Sequence, residues 1–437
     1  MTRNHLFSFK LYLTIILTGI AYTGHSQTKS LQTSPPLTNA APESVGVSPE
    51  RLERIDQMLE MAVSEGNIPG AVALVARNGK IIFHKAFGEA DNGSNQDMEK
   101  DAIFRIASQT KAITSTAVMM LWEEGKFQLD DPISKYIPEF KNPTVLQAFH
   151  YSDTTYTSSP AAREITIRHL LTHTSGLGYG FIDGDERMKM IYQKAGVTDL
   201  FTTENISIEE SVKKLATLPL HHQPGEKYTY SEGLDVLGYF VEIMSGMPFD
   251  KFLRERLFDP LGMDDTWFYL PDEKADRLVA VQKKENGNWV KYPETFYKTD
   301  YPITGAKRFF SGGAGLSSTA KDYATFLQMY LNGGELNGVR FLSRTTIKSI
   351  MGNQTGELFG GSTKHYGLAF GVVTEAGQDR GGIGSVGTFD WGGYFNTQYF
   401  ADPEEEIIGI LMKQTQGPTS DQTAWKFRQM VGSMLDD

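Results

Sequence analysis

Apolar residues recur at helical spacing early in the chain, where Leu52, Ile55, Leu59 and Ala62 share one face. Ser48 suits the N-cap of that helix and Pro49 its first turn. The period then shortens. Residues 71–76 and 80–87 are strand-like runs joined by Asn78-Gly79, a pair that accepts the positive φ angles of a tight hairpin turn. A second helix is predicted from Ser108 through Ala112, Ile113, Ala117, Val118 and Leu121. From there to about residue 305 the pattern is mostly helix and loop, and Leu234, Val236, Leu237, Phe240 and Val241 mark the core face of another helix. Strand signals return at 369–374, 395–400 and 407–413, and residues 422–435 predict a closing amphipathic helix.

Strands at both ends of the chain with helices between them predict an α+β fold. Its antiparallel sheet would be flanked by N- and C-terminal helices, with a mainly helical lobe inserted. The expected body is 47–437, with 47–105 and 306–437 forming the mixed lobe, 106–305 the helical one, and the functional site in the crevice between them. Ahead of the body, residues 27–46 are polar and carry Pro35, Pro36 and Pro42, which predicts a flexible linker. Residues 1–26 read as a cleaved signal peptide, because Arg3 and Lys10 precede an apolar stretch too short to span a bilayer, followed by the small or polar Gly24 and Ser26. This predicts a periplasmic or secreted protein with no stable membrane anchor.

Composition narrows the chemistry. The formal charge of -11 argues against nucleic acid as a partner, because such binding draws on Lys and Arg displacing counterions from phosphates. With no cysteine in 437 residues, thiolate nucleophiles, disulfides and Cys-ligated metals are excluded.

Ser108 and Lys111 are three apart, so on a helix they are neighbours on one face. A serine hydroxyl becomes a useful nucleophile when a nearby base takes its proton, and a desolvated lysine can be that base. The same spacing occurs at Ser26 to Lys29, Ser211 to Lys214 and Ser318 to Lys321, so spacing alone leaves four candidates. Only Ser108 opens a markedly apolar helix directly after an apolar stretch. Tyr230, in Pro224-Gly225-Glu226-Lys227-Tyr228-Thr229-Tyr230-Ser231-Glu232, precedes a helix and is a candidate proton partner. Gly387-Thr388-Phe389-Asp390-Trp391-Gly392-Gly393-Tyr394 precedes a strand, and its glycines can open backbone N–H groups to a substrate carbonyl.

These three elements, in this order, resemble the serine β-lactamase and penicillin-recognising hydrolase family, nearest its class C-like esterase branch. The resemblance extends to Gly125-Lys126-Phe127-Gln128-Leu129-Asp130-Asp131-Pro132-Ile133, to Ile167-Arg168-His169-Leu170-Leu171-Thr172-His173-Thr174-Ser175-Gly176-Leu177, and to Gly312-Gly313-Ala314-Gly315-Leu316-Ser317-Ser318. It implies a β-lactamase/transpeptidase-like fold, Ser108 as nucleophile, and Lys111 and Tyr230 sharing the base role. It also implies an oxyanion site between the amides of Ser108 and Tyr394, with no cofactor.

Two departures bear on the substrate. Trp391-Gly392-Gly393 replaces the Lys-Thr-Gly of β-lactamases, so a cation for a substrate carboxylate is missing and an apolar wall stands in its place. Losing such a contact forfeits roughly 1.5 to 3 kcal/mol, or about ten- to a hundredfold in binding. Glu232 replaces an amide donor; ionised, it would repel a carboxylate or pair with Lys111. The expected activity is therefore hydrolysis of small neutral esters. The alternatives are a β-lactamase or D-amino-acid peptidase, which would act on amides by the same mechanism, and a catalytically idle binding protein on the same fold. His169 and His173, four apart, lack the glutamate of a His-Glu-x-x-His zinc motif, and no metal is expected. Ser175 reads as a turn residue before Gly176, and there is no Gly-x-Ser-x-Gly nucleophile elbow.

Overall fold

In Gly70–Arg77 every residue is buried, and alternation sends Val72, Leu74 and Ala76 into one core and Ala71, Ala73 and Val75 into another. A strand that is apolar on both faces requires cover on both. Ile407–Met412 repeats the pattern, with Ile408, Ile410 and Met412 on the first side and Ile407 and Leu411 on the second. The two strands pair antiparallel from Ile407 against Arg77 to Met412 against Val72, which joins the two ends of the chain in one sheet. Our computed structural model describes residues 28–94, 96–417 and 421–437, so the expected signal peptide lies outside the described residues.

Along the nine-stranded sheet the order is Lys364–Tyr366, Gly371–Val373, Phe389–Gly392, Gln398–Asp402, Ile407–Met412, Gly70–Arg77, Lys80–Asp91 and Thr38–Asn39, with Gln96–Asp97 added beside Lys80–Asp91. Asn78 and Gly79 make the expected hairpin turn with φ of 51° and 72°. On the outer face lie Pro49–Ser64, whose first turn is capped by Ser48 Oγ accepting from Arg51 N, and Thr423–Ser433. On the inner face lies Ala320–Leu331, packed on Gly70–Arg77, Gln398–Asp402 and Ile407–Met412, and in the same core the two inner helices Thr110–Glu123 and Gly233–Ser245 pack on each other. Thr110–Glu123 is buried around nearly its whole circumference, which removes the polar stripe of a surface helix.

Three elements differ from expectation. The second helix starts at Thr110, and Ser108 sits in a separate tight turn, Ala107–Gln109, whose first residue takes a left-handed φ of 43°. The strand expected at 395–400 is Gln398–Asp402, because Phe395 enters an aromatic cluster and Asn396 turns the chain at φ 65°. The segment read as a flexible linker is docked: Thr28–Lys29 pairs with Val339–Arg340, Thr38–Asn39 runs parallel to Lys80 and Ile81, and Pro42–Val45 forms a short helix. It attaches by backbone hydrogen bonds, such as Ser30 N to Gly338 O and Ala40 N to Ile81 O, which side-chain polarity does not reveal.

Candidate active site

Within residues 102–121 every side chain is buried except that of Ser108. The left-handed Ala107 turns the chain so that one hydroxyl emerges from an otherwise sealed helix start. Lys111, 2% exposed, places Nζ 3.5 Å from Ser108 Oγ and donates to Gly313 O at 2.7 Å. That carbonyl belongs to the Gly312-Gly313-Ala314-Gly315 stretch, which packs between the two inner helices: Gly312 O accepts from Thr114 Oγ1, and a Cβ on Gly312 would lie 2.3 Å from Leu234 O. Glycine is needed there for close approach. Asp235 holds the same turn from behind, accepting from Ser311 Oγ at 2.6 Å and Gly313 N at 3.0 Å. A buried carboxylate thus positions the carbonyl that positions the lysine.

Tyr230 reaches the same place from just before the Gly233–Ser245 helix. Its ring centroid lies 4.6 Å from Lys111 Nζ, within cation–π range, and its hydroxyl accepts from Trp391 Nε1 at 3.4 Å. Tyr230 thus presents its ring face to Lys111 and its hydroxyl to the indole. Behind it, His173 packs at 4.6 Å and accepts from Ser231 N through Nδ1 at 3.3 Å, which puts the ring proton on Nε2. Burial and the Lys111 charge push His173 well below its ordinary pKa, so it is a neutral platform. His169 instead accepts from Thr166 N, closing a helix cap, and Ser175 Oγ accepts from Leu177 N as a turn residue. Among the described residues no group of His, Asp and Glu is arranged to hold a metal ion.

Trp391 and Gly392 end the strand Phe389–Gly392, a segment the sequence pattern places ahead of a strand, and Gly393 and Tyr394 follow it. A Cβ on Gly393 would stand 2.5 Å from Ile106 O, so this glycine lets the strand end lie directly against the turn bearing Ser108. Among the described residues neither the Ser108 nor the Tyr394 amide has a backbone partner, which leaves two donors for a developing oxyanion. Trp391 packs with Tyr230 at 5.9 Å, Tyr366 at 5.3 Å and Phe359 at 6.2 Å, making the apolar wall.

Glu232 departs from expectation. It is 2% exposed and lies among the carboxyls of Asp199 and Asp235. Burial, reinforced by those two carboxylates, raises its pKa well above the ordinary value. The segment 179–204 supplies Tyr179, whose ring lies 5.6 Å from Lys111 Nζ, while 142–164 folds as a hairpin bridged to Leu220. Tyr179, His173 and Asp235 escape the sequence reading. An acid set inside the apolar run of the 233–245 helix was the one available signal.

The beta-lactamase family model matches residues 54–432, which include the serine, lysine and tyrosine brought together here. The chain belongs to the beta-lactamase family. Within it, the chain is 31% identical over 384 residues to esterase EstB of Burkholderia gladioli, covering 83% of this chain and 90% of that protein. It is 29% identical over 380 residues to lovastatin esterase of Penicillium rubens (strain ATCC 28089 / DSM 1075 / NRRL 1951 / Wisconsin 54-1255), covering 82% and 91%. The solved structure of EstCE1, a hydrolase with promiscuous acyltransferase activity, superposes with a TM-score of 0.74 at 26% identity, covering 87% of this chain and 98% of that one. This beta-lactamase-family chain is a serine hydrolase of the carboxylesterase-like kind.

Proposed function

We propose that the protein hydrolyses small neutral carboxylic esters through an acyl-enzyme on Ser108. The observation that carries this reading is the isolated exposure of Ser108 beside a buried lysine held at 3.5 Å by the Gly313 carbonyl. Ser108 Oγ attacks the ester carbonyl while Lys111 and Tyr230 together accept its proton. The carbonyl oxygen becomes an oxyanion between the amides of Ser108 and Tyr394. Collapse of the tetrahedral intermediate breaks the C–O bond, and the proton is returned to the departing alcohol. Water, deprotonated by the same pair, then attacks the acyl-enzyme and releases the acid.

The preference for neutral substrates is supported by Trp391, which puts an indole where a cation would anchor a substrate carboxylate. Lys364 and Arg428, on neighbouring elements, are both engaged by Asp390 and add no free cation beside Trp391. The esterases among the relatives agree with an ester substrate. The N-terminal apolar run supports a periplasmic or secreted location for this activity. Turnover of p-nitrophenyl acetate by wild type and Ser108→Ala tests the assignment. A loss of at least a hundredfold is expected, and equal rates would overturn it.

A further inference from the structure

Phe181 is 39% exposed, yet its surroundings are those of a built site. Its ring stacks on Phe296, which comes from a separate loop, at 4.4 Å with the planes 12° apart. The backbone around Phe181 is held by two buried carboxylates. Asp199 Oδ2 accepts from Gly180 N at 2.7 Å and Phe181 N at 3.1 Å, and Asp183 accepts from Tyr179 N at 2.8 Å and Asp185 N at 2.7 Å. Four backbone bonds to buried acids hold a loop rigidly, and what that loop presents is a bare aromatic ring. An exposed apolar side chain on a mobile loop would need no such support.

The pair is continuous with the reacting centre at both ends. On one side Phe181 is two residues from Tyr179, whose ring lies 5.6 Å from Lys111 Nζ and 5.7 Å from Tyr230. On the other side Phe296 meets Tyr297 edge-on at 4.8 Å, and Tyr297 meets Tyr394, the residue whose amide is proposed above as an oxyanion donor, at 6.4 Å. Rings therefore run from the base to the stack and back to the oxyanion donor.

We propose that Phe181 and Phe296 form a specificity subsite that selects esters carrying an aryl group, whose ring packs on this pair while the ester carbonyl lies at Ser108. The inference deepens the esterase reading above and depends on it for the position of the carbonyl. An aryl ring gains an offset-stacked or edge contact with the pair that an alkyl group of similar area does not, and such contacts are worth about three- to tenfold in affinity. Because the subsite connects to both the base and the oxyanion donor, the ring can belong to the alcohol or to the acyl part.

The test compares kcat/KM for 2-naphthyl acetate, methyl 2-naphthoate and ethyl acetate in wild type, Phe181→Ala, Phe296→Ala and Phe181→Trp. Trp425→Ala, an exposed ring on the far face of the sheet, is the control. The ratio of at least one naphthyl ester to ethyl acetate is expected to fall about three- to tenfold in both alanine variants, through KM, and to recover in Phe181→Trp. The ester that responds identifies the part of the substrate that carries the ring. Ratios unchanged in both variants, or a fall equal to that of the Trp425 control, overturn the subsite while leaving the esterase reading intact. Binding of 2-acetonaphthone to the Ser108→Ala protein, weakened by the same factor in the Phe181→Ala, Ser108→Ala double variant, reads the subsite without turnover. A failed esterase assay is thereby separated from a failed subsite.

Discussion

Trp391 and Tyr230 are locked together, the indole Nε1 donating to the tyrosine hydroxyl at 3.4 Å with the rings 5.9 Å apart. Under the proposed mechanism, the residue that stands where β-lactamases carry a lysine therefore walls the site and orients the tyrosine proposed to share the proton of Ser108. Trp391→Lys is expected to raise the kcat/KM ratio of nitrocefin to p-nitrophenyl acetate by about ten- to a hundredfold, since it supplies a charge-assisted contact to a carboxylate. Trp391→Phe, which keeps the ring and loses the donor, should lower kcat for the acetate only a few-fold. An unmoved ratio in Trp391→Lys would mean that charge at this position does not set substrate choice.

Lys111 is flanked by Ser108 Oγ and Gly313 O inside a sealed helix, so its removal acts on chemistry and packing separately. Lys111→Met keeps the length of the side chain and is expected to lower kcat by about a hundred- to ten-thousandfold. The unpaired Gly313 carbonyl should cost about 1–3 kcal/mol in urea unfolding. Near-wild-type turnover in a folded Lys111→Met protein would remove the lysine from the mechanism.

Gly393 and Gly392 are adjacent but sit in different space. A Cβ on Gly393 meets Ile106 O at 2.5 Å and Thr397 Oγ1 at 2.2 Å, whereas on Gly392 the nearest atom is 3.4 Å away. Gly393→Ala must push the strand off the turn bearing Ser108, carrying the Tyr394 amide with it. A kcat loss on the order of a hundredfold is expected, as when one oxyanion donor is removed. Gly392→Ala should stay within a few-fold, and equal effects of the two would refute the placement of the oxyanion donor.

Asp199 holds the loop that carries Phe181, and burial pushes its carboxyl from 3.8 up to about 6. With the folded pKa above the unfolded one, its contribution to stability is complete below about pH 3.8 and is lost as pH rises through 6. Asp199→Asn removes that loss. Relative to wild type, the variant should gain on the order of 2–3 kcal/mol between pH 4 and pH 8 in chemical unfolding. A difference that does not depend on pH would show that Asp199 is not held protonated by the fold.

What was legible along the chain was local. The helix opened by Ser48 and Pro49, the hairpin turn at Asn78-Gly79 and the apolar setting of Ser108 follow from propensity and period, which act over a few residues. The split of the sheet between the two ends of the chain was legible as well, because a run apolar on both faces needs cover on both. Other features depended on partners far away in sequence. The backbone pairing that docks 28–46, the strand at Phe389–Gly392 and the placement of Tyr179 and Asp235 beside Lys111 leave no local pattern.

Glu232 marks the boundary between the two. The sequence by itself determined that an acid stands next to the tyrosine of the site, and determined Ser108 and Lys111 as a neighbouring pair, because covalent spacing and helical geometry set both. Only the tertiary structure decided how readily that acid ionises. Ionisation depends on what surrounds the group in space, and here the surroundings are a dry interior and the carboxyls of Asp199 and Asp235. The wall at Trp391 and the lysine held by Gly313 are likewise contacts between distant segments, and they were decided only when the sheet and the inner helices closed around Ser108.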